Sequence, residues 1–187
     1  HVYEESPEIH KRESAPEGYS IFHQHRQSKK GGGIALIHRD DIKIKAMKTD
    51  ASKFTTCEIM LMKITNIAKG ITLAVVYRPP SSSIPNFITE MNDLISSSTL
   101  GKRFIICGDL NCPGPAKTKG LVNIELQHLI EEHSLHQHVH VPTSRTKNIL
   151  DHIFTCEGQN IVDSVAVHNA SLADHYLITC KITESLT

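Results

Sequence analysis

No stretch of the sequence approaches the roughly 18 consecutive apolar residues of a membrane span, and its polar opening, HVYEESPEIHKRES, has no signal-peptide core. The chain is therefore expected to be soluble. It lacks an excess of either charge, since 20 Lys and Arg balance 20 Asp and Glu. This balance excludes a protein that grips nucleic acid by bulk charge, so any affinity of that kind has to be local. There is no CxxC, and the five cysteines, Cys57, Cys107, Cys112, Cys156 and Cys180, are odd in number and irregular in spacing. They read as reduced thiols of an intracellular protein, with Cys107 and Cys180 expected to be buried and unbridged in their apolar runs. Internal repeats and low-complexity linkers are also absent. With 187 residues and 39% apolar side chains, the expectation is one globular domain over residues 1–187 with a real core.

What is present alternates between strand and helix signals. GGGIALI (Gly31 to Ile37) reads as a glycine turn feeding a strand. CEIMLMKI and GITLAVVYRPP read as two longer strands around a turn near Lys69 and Gly70, and Pro79 and Pro80 end the second. Ser83 is a candidate N-cap, and Phe87, Met91, Leu94 and Ile95 recur at helical spacing, predicting a helix from Pro85 to about Ser96. A second helix is expected from about Leu121 to His133. The remaining apolar runs, FIIC, HVHV, ILDHIFT, IVDSVAV and YLITCKI, read as strands. Many strands with two clear helices predict a layered α/β domain built on sheets.

The run FIICGDLNCPGP poses a local problem, because a buried strand ends in Asp109 and Asn111 with a Gly/Pro-rich loop behind them. On an extended chain two residues apart, the carboxylate and the amide would share one side. An Asx turn, in which both bond their own backbone, explains the pair equally well. Two more acids stand beside apolar strands where an unpaired carboxylate is costly: Asp151 in ILDHIF and Asp174 before HYLITCKI. ADH adds a histidine next to an acid, and VVYRPP adds a tyrosine and an arginine at another strand end. Several strand ends are thus expected to share one polar site.

VVYRPP, CGDLN, LDHIF and ADHYLI, in this order, resemble the endonuclease/exonuclease/phosphatase superfamily. The nearest likeness is to the apurinic-endonuclease-like domain of non-LTR retrotransposons, and it runs from PEGYSIFHQHR to ITCKI. The resemblance implies a four-layered α/β sandwich of the DNase I type, with its site at strand ends on one edge. It implies metal-dependent phosphodiester hydrolysis, DNA as partner through its phosphate backbone, Mg²⁺ or Mn²⁺ as cofactor, and a reverse transcriptase region following in a longer, nuclear polypeptide.

By the family pattern, Asp109 orients or deprotonates the attacking water, and Asn111 holds the phosphate or that water by its amide. His175 donates at the phosphate and Asp151 orients it, while Asp174 suits a hard cation and Tyr77 offers its hydroxyl. Arg78 and Arg145 are candidates for phosphate contact, although a solvated surface position is the simpler reading of either. Two departures stand out. Ala173 occupies the place of the family's serine, removing a supporting hydroxyl. The family's first-strand Asn and its metal-binding Glu have no counterpart here, Glu4 and Glu5 being poor substitutes. The expectation is a domain that lacks its first strands, binds metal weakly and nicks slowly or not at all; a catalytically silent remnant and a phosphatase of the same fold are the alternatives. His133, His136, His138 and His140 suggest zinc as a rival site, without a cysteine or carboxylate pattern to complete it.

Overall fold

In the computed structural model, residues 15–25, 33–114, 123–169 and 173–183 are described. The centre is a six-stranded sheet of β3 (Ile44–Ala46), β4 (Glu58–Ile64), β5 (Ile71–Tyr77), β6 (Phe104–Asp109), β7 (Leu135–Gln137) and β8 (Asp151–Cys156). Their spatial order is β3-β4-β5-β6-β8-β7. Only β5 and β6 run parallel within it, and helix α1 (Ile84–Ser96) makes the crossover between them. Helix α2 (Ile124–Glu132) leads into β7.

Strand alternation sorts the side chains into two faces. Ile59 and Leu61 of β4, Ala74 and Val76 of β5, and Phe104, Ile106 and Phe154 face α1 and α2 in one cluster. Phe87, Met91 and Leu94 are the buried stripe of α1, at the spacing the sequence predicts. On the other face, Met60 and Met62 pack under a two-stranded ribbon of β1 (Tyr19–His25) and β2 (Gly33–Arg39). Ile105 and Ile153 pack under a second ribbon of β9 (Val162–His168) and β10 (Leu177–Ile182). The layered α/β expectation holds, with three of the four layers present among the described residues.

Local chemistry sets the helix limits. Ser83 caps α1 by accepting from the Asn86 N–H, and Pro85 sits in the first turn, where no N–H is needed. The Asn123 side chain accepts from the N–H groups of Glu125 and Leu126, so α2 opens at Ile124 and not at Leu121, which lies outside the described residues. Two strand expectations need correction. HVHV forms no strand: β7 lies just upstream, and the chain then crosses between faces, with Leu135 in the helix-side cluster and Val139 in the opposite one. β1 and β3 come in addition, β1 unread because His and Gln interrupt its apolar residues. Cys180 is exposed, against expectation, because a ribbon only two strands wide leaves its inner face partly open. All five cysteines are free, and burial pushes the Cys107 thiol up to about 12.

Candidate active site

β6 runs out at Asp109, and its antiparallel neighbour β8 begins at Asp151, directly opposite in register. Alternation aims both acids away from the helices, on the face of Ile105 and Ile153. Tyr77 ends β5 on that same face, in line with Leu73 and Val75. The Arg78 N–H donates to the Asp109 carbonyl at 2.9 Å, which brings the ends of β5 and β6 side by side.

His175 arrives from another part of the chain. An isolated antiparallel bridge joins it to Ser144, flanked by bonds from the Arg145 N–H to the Asp174 carbonyl (2.9 Å) and from the Tyr176 N–H to the Thr143 carbonyl (2.7 Å). Its Nδ1 donates to Asp151 Oδ2 at 2.8 Å, and its Nε2 lies 3.9 Å from Asp109 Oδ2. The Thr143 hydroxyl, fully buried, accepts from the N–H groups of Leu150 (3.0 Å) and Asp151 (3.1 Å). One short segment therefore positions both partners of the Asp151–His175 pair. Thr143 escaped the sequence reading; its only signal was a hydroxyl residue upstream of LDH. Glu58, half-buried and the cross-strand partner of Tyr77 at the same sheet end, was likewise unmarked.

The DLN turn combines both readings of its sequence. Asn111 donates its backbone N–H to Asp109 Oδ1 (3.0 Å), the contact of an Asx turn, while the same carboxylate faces His175. Its side-chain Nδ2 donates to Asp109 Oδ2 (3.0 Å) and to the Arg78 carbonyl (2.9 Å). The Nδ2 donors of the amide expected to hold phosphate or water thus meet Asp109 and the Arg78 carbonyl.

Electrostatics separates the two ionisable partners. Burial pushes the Asp109 carboxyl up, the Asp151 charge adds to this, and His175 and the Asn111 donors oppose it. Burial pulls His175 down, but the hydrogen bond to Asp151 and the charges of Asp151, Asp109 and Asp174 outweigh it and leave the ring raised. A carboxylate with elevated proton affinity thus faces an imidazole whose proton affinity is raised as well.

Other expected residues fall differently. Arg78 is corrected: neither a phosphate contact nor a solvated residue, it is 1% exposed, with its guanidinium turned onto the carbonyls of Pro79, Ser82, Leu110 and Asn111. The Arg145 side chain is exposed beside the site, tied in through its backbone. Asp174 is exposed and stands outside the donor group formed by Asp109, Asp151 and His175. The zinc reading finds no support: His133 donates to Asn92 (2.6 Å), His138 bonds Thr155 (2.8 Å) and stacks on His136, and no trio of them forms a donor group among the described residues. Glu4 and Glu5 lie outside the described residues.

Asp109, Asp151 and His175 each place one donor atom within 4.8 Å of the others, and all three are half-buried. Two carboxylate oxygens and an imidazole nitrogen fit a hard divalent cation. A layered α/β sandwich with such a group at one sheet end is the class of protein this geometry defines. The family model described as "Endonuclease-reverse transcriptase" matches residues 71–179, more than half of the sequence, and the chain belongs to that family.

Comparison with solved structures agrees on the fold. The endonuclease domain of TRAS1, a telomere-specific non-LTR retrotransposon, superposes with a TM-score of 0.68 at 23% identity, covering 88% of this chain and 78% of that one. The 3′ phosphatase NExo from Neisseria, bound to product DNA hairpin, gives 0.66 at 12% identity over 97% and 85%. The AP endonuclease LMAP from Leishmania major gives 0.62 at 11% identity over 88% and 70%. No curated protein matches the chain.

Proposed function

We propose that the chain is the catalytic domain of a metal-dependent phosphodiesterase that nicks DNA, of the kind that accompanies a reverse transcriptase in a retrotransposon polypeptide acting in the nucleus. One observation carries the reading: His175 bridges Asp151 at 2.8 Å and Asp109 at 3.9 Å, at the end of a sheet shared by Tyr77. Phosphodiester cleavage needs a water stripped of a proton, donors on the phosphoryl oxygens and help for the departing oxygen. Asp109, raised by burial and held by Asn111, takes the proton from the water. His175, oriented by Asp151 and raised in proton affinity by that carboxylate, donates toward the phosphate and its leaving oxygen. Tyr77 offers its hydroxyl to a phosphoryl oxygen, and Arg145 is placed to meet the backbone of the nucleic acid. The carboxylates of Asp109 and Asp151, with Asp174 beside them, would hold a Mg²⁺ or Mn²⁺ ion, which when bound would supply neutralisation of phosphoryl charge.

The test is nicking of supercoiled plasmid in millimolar Mg²⁺ or Mn²⁺. Nicking is expected, and Asp109→Ala or His175→Ala is expected to lower its rate by about 10²–10⁴-fold, the usual contribution of a general base or acid. Nicking that survives both substitutions would end the proposal, and release of terminal phosphate without nicks would move the chain to the phosphatases.

A further inference from the structure

Arg78 has the largest of the fully buried side chains among the described residues, and no carboxylate among those residues is a hydrogen-bond partner of it. Its Nε donates to the Leu110 carbonyl at 2.7 Å, one terminal nitrogen donates to the carbonyls of Pro79 (3.2 Å) and Ser82, and the other donates to the Asn111 carbonyl. Its Cζ lies 6.0 Å from the centre of the Phe87 ring. Taking a guanidinium out of water is costly unless its donors are met, so the fold retains this charge only where carbonyls converge on it.

Two of those carbonyls, of Leu110 and Asn111, belong to the turn that carries Asp109, and the other two lie in the segment that leads into α1. Asn111 has a φ of +46°, in the left-handed region that costs a non-glycine residue free energy and persists only when its surroundings impose it. Holding the carbonyls of Leu110 and Asn111 fixes the two peptide planes around Asn111. The main chain of Arg78 completes the grip: its N–H donates to the Asp109 carbonyl at 2.9 Å, and its carbonyl accepts from Asn111 Nδ2 at 2.9 Å. With those planes fixed, the Asn111 N–H points at Asp109 Oδ1, and its Nδ2 is held between Asp109 Oδ2 and the Arg78 carbonyl.

We infer that Arg78 is a positioning residue: its buried guanidinium clamps the Asp109–Asn111 turn in the left-handed form that presents the Asp109 carboxylate to His175, without itself touching substrate. A lysine cannot do this, since one tetrahedral ammonium does not match carbonyls that a flat five-donor fork meets from several sides.

The inference rests on the nicking reading for its kinetic arm only. Arg78→Lys and Arg78→Met are compared with Leu126→Ala, which opens the helix-side core without removing a hydrogen bond of the Asp109–Asn111 turn and serves as a control for lost stability. Assays are run well below the melting temperatures of all three. Arg78→Lys is expected to lower kcat by about 10²-fold, the scale of a small misplacement of a reacting group, with KM nearly unchanged, while Leu126→Ala keeps both. A phosphate-contact role predicts the opposite pattern, a raised KM with kcat retained, and that result would overturn the proposal. The second arm needs no turnover. In ¹H–¹⁵N spectra the Asn111 side-chain amide is expected to be protected from exchange in the wild type and in Leu126→Ala, and to lose protection in Arg78→Lys. A protected amide in Arg78→Lys, or an unprotected one in the wild type, refutes the clamp whether or not the protein nicks DNA; protection present in the wild type and lost in Arg78→Lys, in a protein that never nicks, leaves the clamp standing and removes only the nicking reading.

Discussion

His175 meets its two carboxylates unequally: 2.8 Å to Asp151 is a hydrogen bond, and 3.9 Å to Asp109 leaves only an electrostatic pull. Asp151→Asn should therefore remove orientation and charge together, lowering the nicking rate by roughly 10²-fold on the scale of a lost general-acid contribution. Tm is expected to move little, since Asn keeps the shape. Two other histidines predict a stability effect with a definite sign. Burial holds His152 down at about 4, and burial with the charges of His136 and His140 holds His138 at about 4. An unfolded histidine titrates near 6.5, so between about pH 6.5 and 4 the unfolded chain binds more protons than the folded one. Stability should fall as pH drops through that window and level off below it. Urea midpoints at pH 7, 5.5 and 4.5 measure this, and His152→Phe, which retains the stack on Phe154 but cannot titrate, should show a shallower fall.

Elements are tied together here by a few directed contacts. Glu90 of α1 accepts from the N–H and hydroxyl of Thr55 and of Thr56, stapling the helix to the segment that enters β4. Glu90→Ala should cost about 1–3 kcal/mol, the range for losing hydrogen bonds to a charged group, read as a lower urea midpoint at unchanged slope. Gly108, inside β6, has φ +140°, and a Cβ there would lie 1.9 Å from the Val76 carbonyl oxygen. Gly108→Ala forces the end of β5 away from β6 and is expected to destabilise by about 4 kcal/mol or more, with nicking lost along with the fold. The glycine before Asp109 was legible in the sequence, but the strand it must approach was not, because that contact joins residues 32 positions apart. The helices were legible nearly to their ends, since caps and periodicity are local. HVHV misled because alternation records burial on successive sides and does not reveal whether the chain is paired with a neighbour or crossing between layers.

At the scale of the whole molecule, balanced charge is the governing fact. With 20 basic and 20 acidic residues, the DNA affinity proposed above has to come from a few local contacts and not from bulk charge. The slope of log K against log salt should then be shallow, about −4 or less steep by the rule of 0.9 per phosphate neutralised. Arg145→Ala should weaken binding alike across sequences and flatten that slope by about 1, measured by fluorescence anisotropy on duplex oligonucleotides. An unchanged slope would place the phosphate contacts elsewhere.

By itself the sequence determined the kinds of groups available, the layered α/β class and the four motifs that carry the chemistry, because residue type, helical period and turn residues are properties of short stretches. Tertiary structure alone decided which of those groups meet. Asp109 faces Asp151 through the antiparallel register of two strands more than 40 residues apart, and His175 reaches both through a bridge to Ser144. The same holds for Arg78, whose place beside a tyrosine and two prolines suggested an exposed strand end. Its burial follows from where the Asp109–Asn111 turn lands, and a turn's position in space is set by the sheet beneath it, not by the residues that compose it.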